Sequence, residues 1–212
     1  MAWNAIAAKM TSSFPGRVMY FPLAGSVLLA GQPSPWLPPE SVPHAPRNRW
    51  IRVREDEILR SNGQKGIYGV VEKDDCAIIL PVDAGRVWLV EQFRYTIQER
   101  ALELPQGGWE MAVEDPEELA RGELKEETGL DAAQMTFLGT LWIAYGVMRQ
   151  KMYVFLATGL TPSGKDPDDE EHDLVVHSVP IETFEQMMLD GRIRDDCTFA
   201  AWGFYLMWKA RQ

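Results

Sequence analysis

Two cysteines and three histidines are all that the 212 residues contain. Cys76 and Cys197 stand far apart with no metal-ligand spacing, which argues against a zinc centre or a disulfide framework and fits a reducing cytoplasm. They read as small buried hydrophobes. Long apolar runs are missing as well, since none reaches the roughly 18 residues of a membrane-spanning helix. Residues 18–30 follow Lys9 and Arg17 somewhat as a signal sequence would, but Pro22 interrupts them and no clear cleavage site follows. A cytoplasmic protein without membrane association is expected. Positive charge is also scarce: 21 Lys and Arg face 31 Asp and Glu, a net charge of −10. Such a field disfavours non-specific nucleic-acid binding. An anionic substrate would need an intervening cation.

What is present is enough for one folded domain with a small accessory segment, because 46% of the residues are hydrophobic and 25% charged. Residues 33–46 include six prolines, a composition that favours extended linker over helix or central strand. From Trp50 onward the pattern turns to short β-forming runs at 50–53, 68–71, 77–81, 87–92, 136–143, 152–157 and 174–179. Asn62-Gly63 and residues 83–85 supply turn signals between them. Helices are expected at 181–189 and 198–209. Strands outnumber helices without regular alternation, so the class is α+β.

The chemistry concentrates between Pro105 and Leu130. Asp115 suits an N-cap, Pro116 the first helical position, Glu118 a capping box and Gly129 the stop, which bounds a helix of about 13 residues. On it Glu123, Glu126 and Glu127 stand at i, i+3 and i+4, all on one sector. Like charges there oppose one another and the helix dipole, and a bound cation would relieve both. Oxygen-only donors suit Mg²⁺ or Mn²⁺. A solvated acidic face is the alternative, and the neighbouring stripe of Ala120 and Leu124 argues against it. Upstream, Gly107-Gly108 permits a loop whose backbone approaches a metal or phosphate closely.

These residues resemble the Nudix box, G-x5-E-x7-R-E-U-x-E-E-x-G-U with U aliphatic. Gly108, Glu114, Glu123, Leu124, Glu126, Glu127, Gly129 and Leu130 match it, and Gly122 stands where the box has arginine. Arg121, about 160° around the helix from Glu123, is not an obvious substitute. Outside the box, 92–95 with Glu103-Leu104-Pro105, and 191–201, look like the ADP-ribose and nucleotide-sugar pyrophosphatase branch.

The resemblance implies a Nudix fold, a mixed β-sheet sandwiched between helices, over residues 73–212. An N-terminal β segment at 47–72 would precede it, after an extension and linker at 1–46. It implies hydrolysis of a diphosphate bond in a nucleoside diphosphate derivative, releasing a nucleoside monophosphate. Glu123, Glu126, Glu127 and the carbonyl of Gln106 would hold Mg²⁺ or Mn²⁺. Arg94 and Glu103 would face the substrate, Trp50 or Tyr145 could stack on its base, and Glu170 or Glu171 in the acidic run 166–173 would supply a general base. A homodimer built on residues 50–71 is expected. Dinucleoside polyphosphate or nucleoside triphosphate hydrolysis, or nucleotide sensing without cleavage, stays open.

Overall fold

The computed structural model describes residues 48–108, 114–164 and 173–212, all within one compact unit. The 1–46 extension and the candidates Glu170 and Glu171 lie outside the described residues.

Among the described residues ten strands and three helices follow in order: β1 Arg52–Leu59, β2 Lys65–Glu72, β3 Cys76–Asp83, β4 Arg86–Arg94, β5 Glu99–Glu103, β6 Gln106–Gly107, α1 Pro116–Thr128, β7 Leu130–Trp142, β8 Met148–Arg149, β9 Lys151–Pro162, β10 Val175–Pro180, α2 Ile181–Leu189 and α3 Asp196–Lys209. One sheet has the order β10-β4-β3-β9-β7, with β5 on β4 and β6 on β3, and a smaller sheet has the order β1-β2-β8. Among the described residues no helix is long and apolar enough to cross a membrane.

Strand β3 explains the layering. Its residues 76–81 are buried, and the side chains alternate between two cores. Ile78 and Leu80 join Val154, Phe184 and Trp202 on the side of α2 and α3, while Ala77 and Ile79 join Leu119, Leu124 and Phe155 on the side of α1. The mixed sheet is therefore sandwiched between helices, as the resemblance implies. The β3–β4 connection is tight because Ala84 and Gly85 both take positive φ, 46° and 74°, the geometry that matches strand twist in a two-residue hairpin.

Three strand boundaries differ from expectation. The first strand starts beyond Trp50 and runs through RVREDEIL, a charged sequence that an exposed sheet tolerates because alternate residues face water. Strand β7 begins at Leu130, directly after the helix stop at Gly129, and its bulge lies between Phe137 and Gly139. Strand β5, sequence ERALE, has helix-forming composition and is held extended by its pairing with β4.

Candidate active site

Helix α1 is bounded as its sequence suggests. Asp115 Oδ1 accepts from the backbone N–H groups of Glu117 at 2.9 Å and Glu118 at 3.3 Å, and Gly129 closes the helix at φ 71°. Losing such a cap costs about 1 kcal/mol. Leu119, Ala120 and Leu124 pack onto Ala77, Ile79 and Phe155. That contact fixes the rotation of the helix, and the adjacent stripe then carries Glu123 and Glu127 inward, where they are only 5% and 2% exposed. Glu126 is half-buried beside them.

The other wall is β6, stitched to the start of β3. Ile79 N–H donates to Pro105 O at 2.9 Å, and Ile78 and Ala77 pair with Gln106 and Gly107. Gln106 N–H then donates to Glu127 Oε2 at 2.9 Å. At Gly107 an added Cβ would lie 2.2 Å from Glu123 Oε2, so any side chain there would have to displace that carboxylate. Both buried carboxylates are thus pressed against bare backbone. Two buried carboxylates with Glu126 beside them fit a hard divalent cation, and a cradle that one methyl group would fill leaves the Glu123 oxygens close to the loop.

A cleft of about 350 Å³ opens beside this loop, lined by Arg94, Glu103, Gln106 and Gly107 along with Lys73 and Asp195. Arg94 Nη2 lies 2.7 Å from Glu103 Oε1, and its Nε donates to Glu103 Oε2 at 3.3 Å. Glu103 is 2% exposed, and burial pushes its carboxyl above the usual range even though the Arg94 hydrogen bond pulls the other way. Burial opposes the charge on Arg94, but the bond to Glu103 and the charges of Glu103, Glu127 and Asp195 together outweigh it and hold the guanidinium charged. A buried acid thereby sets the direction of a half-exposed cation that borders the cleft.

A second support comes from α3. Asp195 caps that helix by accepting from Thr198 N–H and Oγ1–H, both at 2.7 Å, and also accepts from Gln106 Nε2 at 3.3 Å. Thr198 Oγ1 in turn accepts from the buried Leu104 N–H at 3.0 Å. The Glu103-Leu104-Pro105-Gln106 loop is therefore tied to a helix 90 residues away in sequence. The family resemblance at 191–201 assigns no role to Asp195 or Thr198. The Asp-x-x-Thr spacing of an N-cap was the available signal.

The remaining candidates are not brought to the cleft. Trp50 lies outside its lining, with the Arg49 guanidinium 4.1 Å from its ring centroid and its N–H bound to Asn48 Oδ1. Tyr145, 82% exposed, sits between β7 and β8 and borders a separate hollow with Tyr68 and Trp142. Arg121 does not replace the box arginine: it pairs with Glu117 at 2.9 Å and donates to Ala132 O at 2.8 Å. Asp173, the last residue of the acidic run, is held by Arg100 Nη1 at 2.8 Å. Arg100 also bonds Glu91, and that bond first, then His177, holds Glu91 below the usual carboxylate range.

Comparison with known proteins agrees with this architecture. Residues 73–200 match the NUDIX domain, and residues 47–71 match the nucleoside diphosphate sugar hydrolase N-terminal domain. The chain belongs to the NUDIX family. It is 33% identical over 150 residues to the ADP-ribose pyrophosphatase of Mycobacterium tuberculosis, covering 70% of this chain and 72% of that protein. It is 28% identical to the methanol dehydrogenase activator of Bacillus methanolicus, covering 72% and 83%. A solved ADP compounds hydrolase shares the fold with a TM-score of 0.70 at 24% identity, covering 82% of this chain and 92% of that one.

Proposed function

We propose that this chain hydrolyses the diphosphate linkage of a nucleoside diphosphate derivative, ADP-ribose or a nucleotide sugar, releasing a nucleoside monophosphate and a second phosphate ester. The observation that carries the reading is the pair Glu123 and Glu127, buried at i and i+4 and pressed against Gly107 and the Gln106 N–H. The 33% identity to an ADP-ribose pyrophosphatase supports the substrate class.

Glu123, Glu126, Glu127 and the Gln106 carbonyl are the proposed ligands of Mg²⁺ or Mn²⁺. A divalent cation there would neutralise the diphosphate, lower the pKa of water and stabilise the leaving oxygen. Arg94, oriented by Glu103, binds a phosphate oxygen. Glu170 or Glu171 is the proposed general base, and Arg100 anchors the following Asp173 to β4 and β5.

Trp50 and Tyr145 are proposed base contacts. Both lie beside the small sheet, whose Ile67 is 62% exposed, and a homodimer through residues 50–71 would set that sheet against a second copy. Cytoplasmic placement is supported by Cys76 and Cys197, both buried and free, with burial raising the Cys76 thiol to about 12.

A sensing role without cleavage is the second reading, and Gly122 is the residue that favours it, since Arg121 is engaged elsewhere. The test is product analysis with ADP-ribose, nucleotide sugars, dinucleoside polyphosphates and nucleoside triphosphates at several millimolar Mg²⁺. AMP with ribose 5-phosphate from ADP-ribose is the expected result. Binding of the panel without turnover would establish the sensing role instead, and turnover confined to triphosphates or dinucleoside polyphosphates would replace the substrate class.

A further inference from the structure

Beside the small sheet lies a second cavity of about 260 Å³ whose lining includes four cations, Arg49, Arg52, Lys73 and Arg149, against two acids, Glu72 and Asp74. In a chain of net charge −10 this is a local reversal of sign. Arg52 pairs with Glu72 at 3.5 Å, and Arg54 takes the same carboxylate at 3.2 Å. Arg49 lies over the Trp50 ring. Lys73 and Arg149 are different: among the described residues neither side chain makes an ion pair or hydrogen bond.

Their backbones are fixed side by side. Glu72 is in parallel register with Arg149, and Lys73 N–H donates to Arg149 O at 3.2 Å. Glu72 and Asp74 share the cavity but pair with neither side chain, so cations outnumber acids there four to two, and an anion drawn in would be held by the two cations that have no ion pair among the described residues. Lys73 also lines the cleft beside the Gln106 loop, so the two cavities share that side chain.

We infer that Lys73 and Arg149 bind a phosphomonoester carried on the nucleoside half of the substrate, away from the bond that is cleaved. The preferred nucleotide then bears a phosphate at the ribose 2′ or 3′ position in addition to its diphosphate. Trp50, in the same cavity, offers a ring face to the adjoining base. The site rests on reading the cleft as the diphosphate site, because Lys73 is what joins the two.

The experiment is calorimetric titration of the full chain with adenosine 2′,5′-bisphosphate, adenosine 3′,5′-bisphosphate and AMP, with ADP-ribose hydrolysis measured in parallel. One bisphosphate should bind about tenfold or more tightly than AMP, the size expected of a charge-assisted contact. In the double variant Lys73→Gln, Arg149→Gln that ratio should fall to near unity, and Lys73→Arg with Arg149 intact should restore most of it. Bisphosphates that bind no better than AMP, or a preference that survives the double variant, overturn the site. ADP-ribose hydrolysis without bisphosphate preference sinks the site alone. Absence of all hydrolysis sinks the catalytic reading, and the calorimetry still decides the site.

Discussion

The two sheets use their residues in opposite ways. In the seven-stranded sheet, β3 is buried along most of its length, and the charged groups that enter its surroundings are paired or set against backbone, as Glu103 is with Arg94 and Glu127 with the Gln106 N–H. In the three-stranded sheet the arrangement inverts: Asp56 is buried against Arg54 at 2.7 Å, while Ile67 and Tyr68 are exposed. A buried ion pair is weak evidence for stability, and exposed apolar groups in one place mark a surface that meets something else. The large sheet is built to hold a site in place. The small sheet leaves Ile67 and Tyr68 uncovered, on the segment through which the homodimer is proposed.

Substitutions can break that contrast. The largest effect is expected at Gly107, whose φ lies outside the positive region, so alanine is tolerated by the backbone and objectionable only for its methyl group against Glu123. Gly107→Ala should lower kcat/KM about a hundredfold by displacing that carboxylate. Steady-state kinetics with a thermal melt checks this, and a wild-type rate would show that the tight approach is incidental.

A smaller effect is expected at the outward face. Ile67→Glu should leave the melting temperature nearly unchanged, because an exposed substitution alters stability by less than about 0.5 kcal/mol. It should nevertheless convert a dimer to a species of 24.0 kDa in light scattering. A wild-type chain that is already monomeric would end the dimer reading.

The catalytic helix was legible in the sequence because its signals are local. Asp115, Pro116 and Gly129 bound it, and 3.6 residues per turn places Glu123 beside Glu127 without any knowledge of the rest of the chain. The sandwich order was implied by the resemblance and follows physically from the two-sided burial of β3.

What could not be read depends on contacts between distant segments. Strand β5 is extended only because β4 pairs with it, and nothing in ERALE says so. Glu103 orients Arg94 because burial excludes water from the carboxylate, and Asp195 and Thr198 support the Gln106 loop across about 90 residues of chain. Trp50 and Tyr145 were chosen for their ring chemistry, which carries no information about which cavity they border. Position, unlike residue type, is set by the tertiary fold.

The most direct test compares wild type with Glu127→Gln in ADP-ribose hydrolysis across a Mg²⁺ titration, with Mn²⁺ binding followed by electron paramagnetic resonance. The account predicts saturable, cation-dependent release of AMP by the wild type. It also predicts a loss of more than about a hundredfold in the variant, together with weakened Mn²⁺ binding. A Glu127→Gln protein that hydrolyses ADP-ribose at the wild-type rate and binds Mn²⁺ as tightly would contradict it.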